Sequence, residues 1–415
     1  MMCFRSFWQL AVLLTCLGLA ACSDSVPVVP EDSAVDMARL INPPNVVLII
    51  ANDLGVDDIS AYPQGRIKTP ALEKLANQGV TFTTAYAASS VSGPARAGII
   101  TGTHPSRFGY EYDNGPGARD EKERLGLPFS EVTLGTALLE QKYVTGYVGL
   151  WALGGNSIHY PMNRGYLEFY GILSRQAPYM AADAPELISL PSPAYPQPPA
   201  MDKHTQIYTG IDSDTVDNRR TYLTTDLASR AVEFIEKNGD GPFALTVAFT
   251  APHGPLQALK QDYEAQALFT NPNVRAYAAM VSSLDAAVGE VLAALDRKKL
   301  ADNTIVIFTS DNGCDVESGA CSCTGLRGGG ATLYEGGLRV PFIMRWPDQI
   351  QAKTSYARPV SHLDIFPTIL TATNTPRPAG KKLDGVDLLP YLKGEKKSDP
   401  HPSLVWLRRP SSAIR

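Results

Sequence analysis

After Pro44-Asn45 the chain runs Val46-Val47-Leu48-Ile49-Ile50, apolar without a break and largely β-branched. Such a run suits the middle of a parallel sheet, where both faces are covered. Tyr143 to Leu150, Phe243 to Thr250, Thr304 to Phe308 and Pro341 to Met344 read as further strands. Helical stretches alternate with them. Thr69-Pro70 opens a helix through Gln78, with Thr69 as N-cap, Pro70 in the first turn and Gly79 as the stop. Thr133 to Gln141, Arg219 to Lys237 and Val274 to Leu295 follow. The alternation predicts an α/β fold with a large central, mostly parallel sheet flanked by helices. Pro178 to Pro199, rich in Pro and Ala, reads as an irregular surface excursion.

In layered α/β folds ligands collect beyond the carboxyl ends of the strands. Here Ile50 leads to Asn52-Asp53, Phe249 to His253 and Phe308 to Asp311-Asn312. One polar strand end is commonplace, but three point to a site. Oxygen-bearing pairs from separate strands suit a hard cation, Ca²⁺ or Mg²⁺. No His/Cys pattern asks for zinc or copper. Asn52, Asp53, Asp311 and Asn312 are the candidate ligands. Only Asp53 and Asp311 carry charge, so a sulfate or phosphate ester would complete the site. In Ser92-Gly93-Pro94-Ala95-Arg96, Pro94 stands where a helix can begin and Ala95 to Ile100 continues it. Ser92 then lies by a helix N-terminus and a guanidinium, an address for an anion. Taken alone, the same five residues also describe an ordinary capped helix.

A net charge of −5 provides no polybasic surface for nucleic acid. Residues 1–22 read as a lipoprotein signal peptide. Arg5 precedes an apolar run from Phe7 to Ala21, and Leu19-Ala20-Ala21-Cys22 resembles a lipobox, with cleavage before Cys22 and a lipid on its thiol. Residues 23–42 read as a tether. The expected location is the bacterial periplasm or outer membrane, with membrane attachment through Cys22. Among the six cysteines, Cys314, Cys321 and Cys323 share one loop. One local disulfide with one thiol left over is the expectation there, with a thiolate metal site as the alternative. His104, His159, His204, His362 and His401 read as core or surface histidines.

Several blocks, in order, resemble the formylglycine-dependent sulfatases. Pro44 to Gly55 resembles the family's opening strand. Thr69-Pro70-Ala71-Leu72 and Gly79-Val80-Thr81-Phe82 resemble the helix and segment that follow. Ser92 to Arg96 with Thr101-Gly102-Thr103-His104-Pro105 resembles the signature stretch. Asn303 to Gly313 resembles the metal-binding strand, and Leu333 to Pro341 and Ser361 to Thr368 resemble later blocks. The resemblance implies an alkaline-phosphatase-like fold over residues 43–394. Residues 395–415 would begin a small C-terminal subdomain that is largely absent. It implies that a maturase of the radical type oxidises Ser92 to formylglycine. The metal, held by Asn52, Asp53, Asp311, Asn312 and residue 92, would lower the pKa of the formylglycine hydrate that attacks sulfur. Arg96 would hold that hydrate, and His253 would act as general acid at the leaving oxygen. The implied substrates are sulfated glycans or small sulfate esters. A phosphoester or phosphonate hydrolase of the same superfamily is the rival activity.

Four positions depart from the family's pattern. Its Gly-Lys-Trp-His-Leu-Gly reads Gly149-Leu150-Trp151-Ala152-Leu153-Gly154 here, and its Leu-Arg-Gly-Gly-Lys reads Leu326-Arg327-Gly328-Gly329-Gly330. Leu150 and Gly330 stand for sulfate-binding lysines and Ala152 for a histidine that assists the formylglycine. Asn52 stands for the first metal aspartate. Cationic donors act directly on charge developing at the sulfuryl oxygens, so a catalytically impaired protein that still binds metal and sulfated glycan is the second expectation.

Overall fold

The computed structural model describes residues 42–111, 126–155, 157–173, 177–197, 205–210, 213–214, 221–323, 325–408 and 411–415. The expected signal peptide, Cys22, nearly all of the tether and His204 lie outside these residues.

A ten-stranded sheet runs through the molecule. Its spatial order is Thr354–Tyr356, Val80–Phe82, Phe342–Arg345, Thr304–Ser310, Asn45–Asn52, Phe243–Pro252, Val144–Leu150, Glu168–Ile172, Tyr208–Thr209 and Ser213–Asp214. The five strands from Thr304–Ser310 to Glu168–Ile172 are parallel to one another. Antiparallel pairing appears toward both edges. Asn45–Asn52 is central, in register with Thr304–Ser310 from Asn45 opposite Thr304 to Ala51 opposite Ser310. Its side chains feed two cores. Val47 and Ile49 pack on one face with Leu227, Ile235, Val288 and Leu292. Val46, Leu48 and Ile50 pack on the other with Leu138, Ile365, Phe366 and Ile369. Each fully buried side chain of this size contributes roughly 1.5–3 kcal/mol, which fixes the strand's register and brings Asn52-Asp53 to the carboxyl edge.

Two details differ from the expectation. Helix Pro70–Asn77 begins after Thr69, but the Thr69 hydroxyl makes no cap bond. It pairs with Ser60 instead, and Asp285 of the long helix Pro272–Arg297 accepts from Ala71 N (3.0 Å) and Leu72 N (2.8 Å). A tertiary carboxylate replaces the local cap, because the two helices pack against each other. The excursion after Pro178 is not wholly irregular, since Leu187–Leu190 forms an antiparallel pair with Leu256–Leu259. Beyond residue 395 a hairpin, Val405–Arg408 with Ser411–Ile414, is anchored by Trp406, whose indole N–H donates to Ala87 O (2.7 Å).

His362 is a core histidine, as expected. It is fully buried, bonded to Thr309 Oγ1 at 2.9 Å, and burial lowers its pKa from 6.5 to about 3. An unfolded chain would take up a proton below pH 6.5 that the folded one refuses until about pH 3. The neutral ring is therefore fully compatible with the fold above 6.5, and stability falls as pH drops through this window, by about 1.4 kcal/mol per pH unit. Urea unfolding of His362→Gln should show a lower stability near neutrality and a flatter decline toward acid than the parent. Parallel curves would exclude His362 as the source of acid sensitivity.

Candidate active site

The opening strand ends in a register shift between Ile50 and Asn52. Asp53 then takes a left-handed conformation (φ 62°), which aspartate tolerates better than most residues. The turn directs Asn52 and Asp53 toward the neighbouring strand end, where Asp311 and Asn312 follow Ser310. Asp311 Oδ1 accepts from the amides of Asp53 (3.1 Å) and Asn312 (2.9 Å), tying the two ends together. Ser310 Oγ accepts from Leu54 N at 2.8 Å and donates to Asn312 O at 2.8 Å, a second tie.

Ser92 opens helix Ser92–Thr101, whose residues are all buried. Its Oγ lies 3.2 Å from both Asn52 Oδ1 and Asn312 Oδ1. One hydroxyl proton cannot serve both, so three oxygens converge on one point with too few protons between them. Asn52 Nδ2, also buried, has no hydrogen-bond partner among the described residues. The Asn312 amide donates to Asp53 Oδ1. Burial, with Asp311 and Asp315 nearby, holds the Asp53 carboxyl well above the ordinary carboxylate range, against the pull of His253 and the Asn312 amide.

The donor set of two carboxylates, two amide oxygens and a hydroxyl fits a hard cation.

Arg96, one helical turn after Ser92, is fully buried. Its Nε and Nη2 lie 3.0 and 2.9 Å from Asp311 Oδ2, and its Nη1 donates to Leu150 O at 3.0 Å. The same carbonyl accepts from the Tyr147 hydroxyl at 2.6 Å. Arg96 therefore neutralises Asp311 and stiffens the floor of the site. His253 follows strand Phe243–Pro252. Its Nδ1 faces Gly254 O at 2.6 Å and must carry a proton to do so. Its Nε2, 3.4 Å from Asp53 Oδ2, faces the cluster.

Every predicted site residue, Asn52, Asp53, Ser92, Arg96, His253, Asp311 and Asn312, thus joins one connected network. Tyr147 and Ser310 belong to it too. Neither carries a sequence signal, because each acts through a backbone group.

The sulfatase family model matches residues 44–375. The chain belongs to the sulfatase family. Arylsulfatase A of Homo sapiens is 34% identical, over 88% of this chain and 70% of its own length. Steryl-sulfatase of Homo sapiens is 29% identical, over 86% and 71%. The crystal structure of Ps i-CgsB in complex with k-i-k-neocarrahexaose superposes with a TM-score of 0.80 and 31% identity, over 90% of this chain and 82% of that one. These matches give the chain the fold of its sulfatase neighbours and make it, by family, a sulfuric ester hydrolase.

Of the departing positions, Leu150 and Gly330 lie against this network, Leu150 through its carbonyl to Arg96 and Gly330 beside Asn312. Leu150 is fully buried at the end of its strand. Ala152 is left-handed (φ 54°), a conformation in which histidine, like Asn and Asp, is found more often than most side chains. A Cβ added at Gly330 would meet Gly313 O at 3.3 Å, Cys314 O at 3.4 Å and Asn312 Nδ2 at 3.5 Å. A side chain there would begin beside the oxygen cluster. Arg327, the nearby cation, instead stacks on Tyr334 with its Cζ 3.9 Å from the ring centroid.

Proposed function

We propose that the protein hydrolyses sulfate monoesters at the Ser92 site after Ser92 is oxidised to formylglycine. The observation that carries this is the placement of Ser92 Oγ between Asn52 Oδ1 and Asn312 Oδ1, 3.2 Å from each. Residue 92 then presents the attacking oxygen at the start of a helix, the end whose dipole favours an anion. Arg96, locked to Asp311, keeps residue 92 and the strand ends in register. In its imidazolium form His253 would offer the Nε2 proton toward the leaving oxygen, while its Nδ1–H bond to Gly254 O fixes the ring. Asn52, Asp53, Asp311 and Asn312, together with residue 92, would hold Ca²⁺ or Mg²⁺. When bound, such an ion polarises the sulfuryl oxygens.

The substrate class follows from the relatives. Arylsulfatase A and steryl-sulfatase favour a sulfate ester, and the oligosaccharide in the Ps i-CgsB complex favours a sulfated glycan. The stretches beside Tyr110 and after Pro178 would choose among glycans, and residues 112–119 and 198–204 of them lie outside the described residues. On the same proposal, a lipid on Cys22 tethers the protein in the periplasm or at the outer membrane.

Leu150, Ala152 and Gly330 favour a second reading, an impaired enzyme that binds metal and sulfated glycan. Co-expression with a radical-type maturase separates the two. Mass spectrometry of the Ser92 peptide should show loss of two hydrogens, and the matured protein should cleave an aryl sulfate faster than an aryl phosphate diester. A matured but inactive protein that retains sulfated polysaccharide supports the second reading. An unmodified Ser92 under these conditions removes the nucleophile and with it the proposal.

A further inference from the structure

We propose that Cys314, Cys321 and Cys323 form a thiol–disulfide exchange centre, in which the cross-link moves between Cys314–Cys321 and Cys314–Cys323. Cys314 and Cys321 are joined, and the free Cys323 holds its sulfur 3.2 Å from Cys314 Sγ. Three sulfurs in contact on one loop meet the first requirement for exchange, which is access of a thiol to a disulfide sulfur.

The step balances within the chain. A lone pair on the Cys323 thiolate forms the new S–S bond at Cys314 Sγ. The bond to Cys321 breaks, and its electron pair leaves on Cys321 Sγ, which takes up the proton that Cys323 gave to solvent. No oxidant is consumed. The two partners are separated from Cys314 by 7 and 9 positions, too small a difference for loop-closure entropy to choose between them. Burial pushes the Cys323 thiol up to about 11, which makes the exchange slow at neutral pH and faster as pH rises.

The location gives the exchange a consequence. Cys314 is buried two residues after Asn312, and its carbonyl accepts from Gly330 N at 2.7 Å. A Cβ at Gly55 would lie 3.0 Å from Cys314 Cβ and 3.1 Å from Ser322 O. The cysteine loop therefore continues the strand end that carries Asn312 and packs against the one that carries Asp53. Moving the cross-link would reset the loop beside Asn312 and Gly330.

The test uses the full chain with all its cysteines. The protein is equilibrated at pH values from about 6 to about 10, then denatured at mild acid with N-ethylmaleimide, and the label is located by fragment mass spectrometry. The label should divide between Cys321 and Cys323, with neither below about a tenth of the total. The rate of approach should rise close to tenfold per pH unit. Label confined to Cys323 at every pH, or found on Cys314, overturns the proposal. A second arm takes Cys321→Ser oxidised with glutathione disulfide, where a Cys314–Cys323 cross-link is expected. Two alkylatable thiols in that folded variant would count equally against it. Neither arm depends on sulfate hydrolysis, so the sulfatase proposal can fail without touching this one.

Discussion

Gly330→Lys in the matured protein is expected to raise kcat/KM on an aryl sulfate by roughly 10²-fold, since one well-placed cationic or oxyanion donor is typically worth 10²–10³ in rate. The position is suited to it. Its backbone is not left-handed, and the three atoms nearest to a Cβ there are two carbonyl oxygens and Asn312 Nδ2, at 3.3 to 3.5 Å. The ammonium would therefore start from beside the oxygen cluster and reach the sulfuryl oxygens as an acceptable donor. Adding Leu150→Lys and Ala152→His should raise the rate further, though by less than the product of the single effects, because the three groups act on one charge distribution. Leu150 is fully buried, so its replacement by lysine should lower stability by about 1–3 kcal/mol in the absence of an anion. That loss is itself diagnostic. Inorganic sulfate should raise the melting temperature of the triple variant more than that of the parent, because a ligand that binds only the folded state stabilises it by mass action. A triple variant that neither gains rate nor responds to sulfate would show that these positions do not face the anion.

Much of the scaffold was legible in the chain itself because hydrophobic burial leaves a pattern. The runs at Val46 to Ile50 and Thr304 to Phe308 read as doubly covered strands, and they lie side by side in the sheet. The polar residues just past those runs could only gather where the strands end, so Asn52, Asp53, Asp311 and Asn312 were foreseeable as a group. Ser92 and Arg96 needed the family resemblance as well, because their five-residue pattern also fits a plain helix start. What pattern could not supply were interactions between distant segments. Asp285 caps a helix more than two hundred residues away, displacing the local Thr69 cap. Tyr147 supports Arg96 through the carbonyl of Leu150, and a backbone oxygen has no sequence signature. The commitment of Arg96 to Asp311 was invisible for the same reason. Its residue type announced a cation, but only the fold shows that a carboxylate already claims the charge.

Ser92→Ala should take turnover down to the uncatalysed background, a loss on the order of 10⁴–10⁶-fold if the parent is fully active, as removal of a nucleophile that acts as part of a unit typically does. The size of the effect comes from chemistry rather than from folding. Ser92 is buried, yet its hydroxyl contributes one hydrogen bond shared between Asn52 Oδ1 and Asn312 Oδ1. Its loss should shift stability by only about 1 kcal/mol. Arg96 and Asp311 remain locked together in the variant, so the strand ends keep their register, and calcium titration followed by thermal shift should still report binding, weakened by loss of one ligand. Asp311→Ala is the contrasting case. It leaves the buried Arg96 guanidinium without its counter-charge and frees the amides of Asp53 and Asn312. Breaking a buried pair from one side costs about 3–5 kcal/mol, so that variant should lose both stability and cation response. A Ser92→Ala protein that keeps the parent's turnover would show that the converging oxygens serve only the fold and that hydrolysis happens elsewhere.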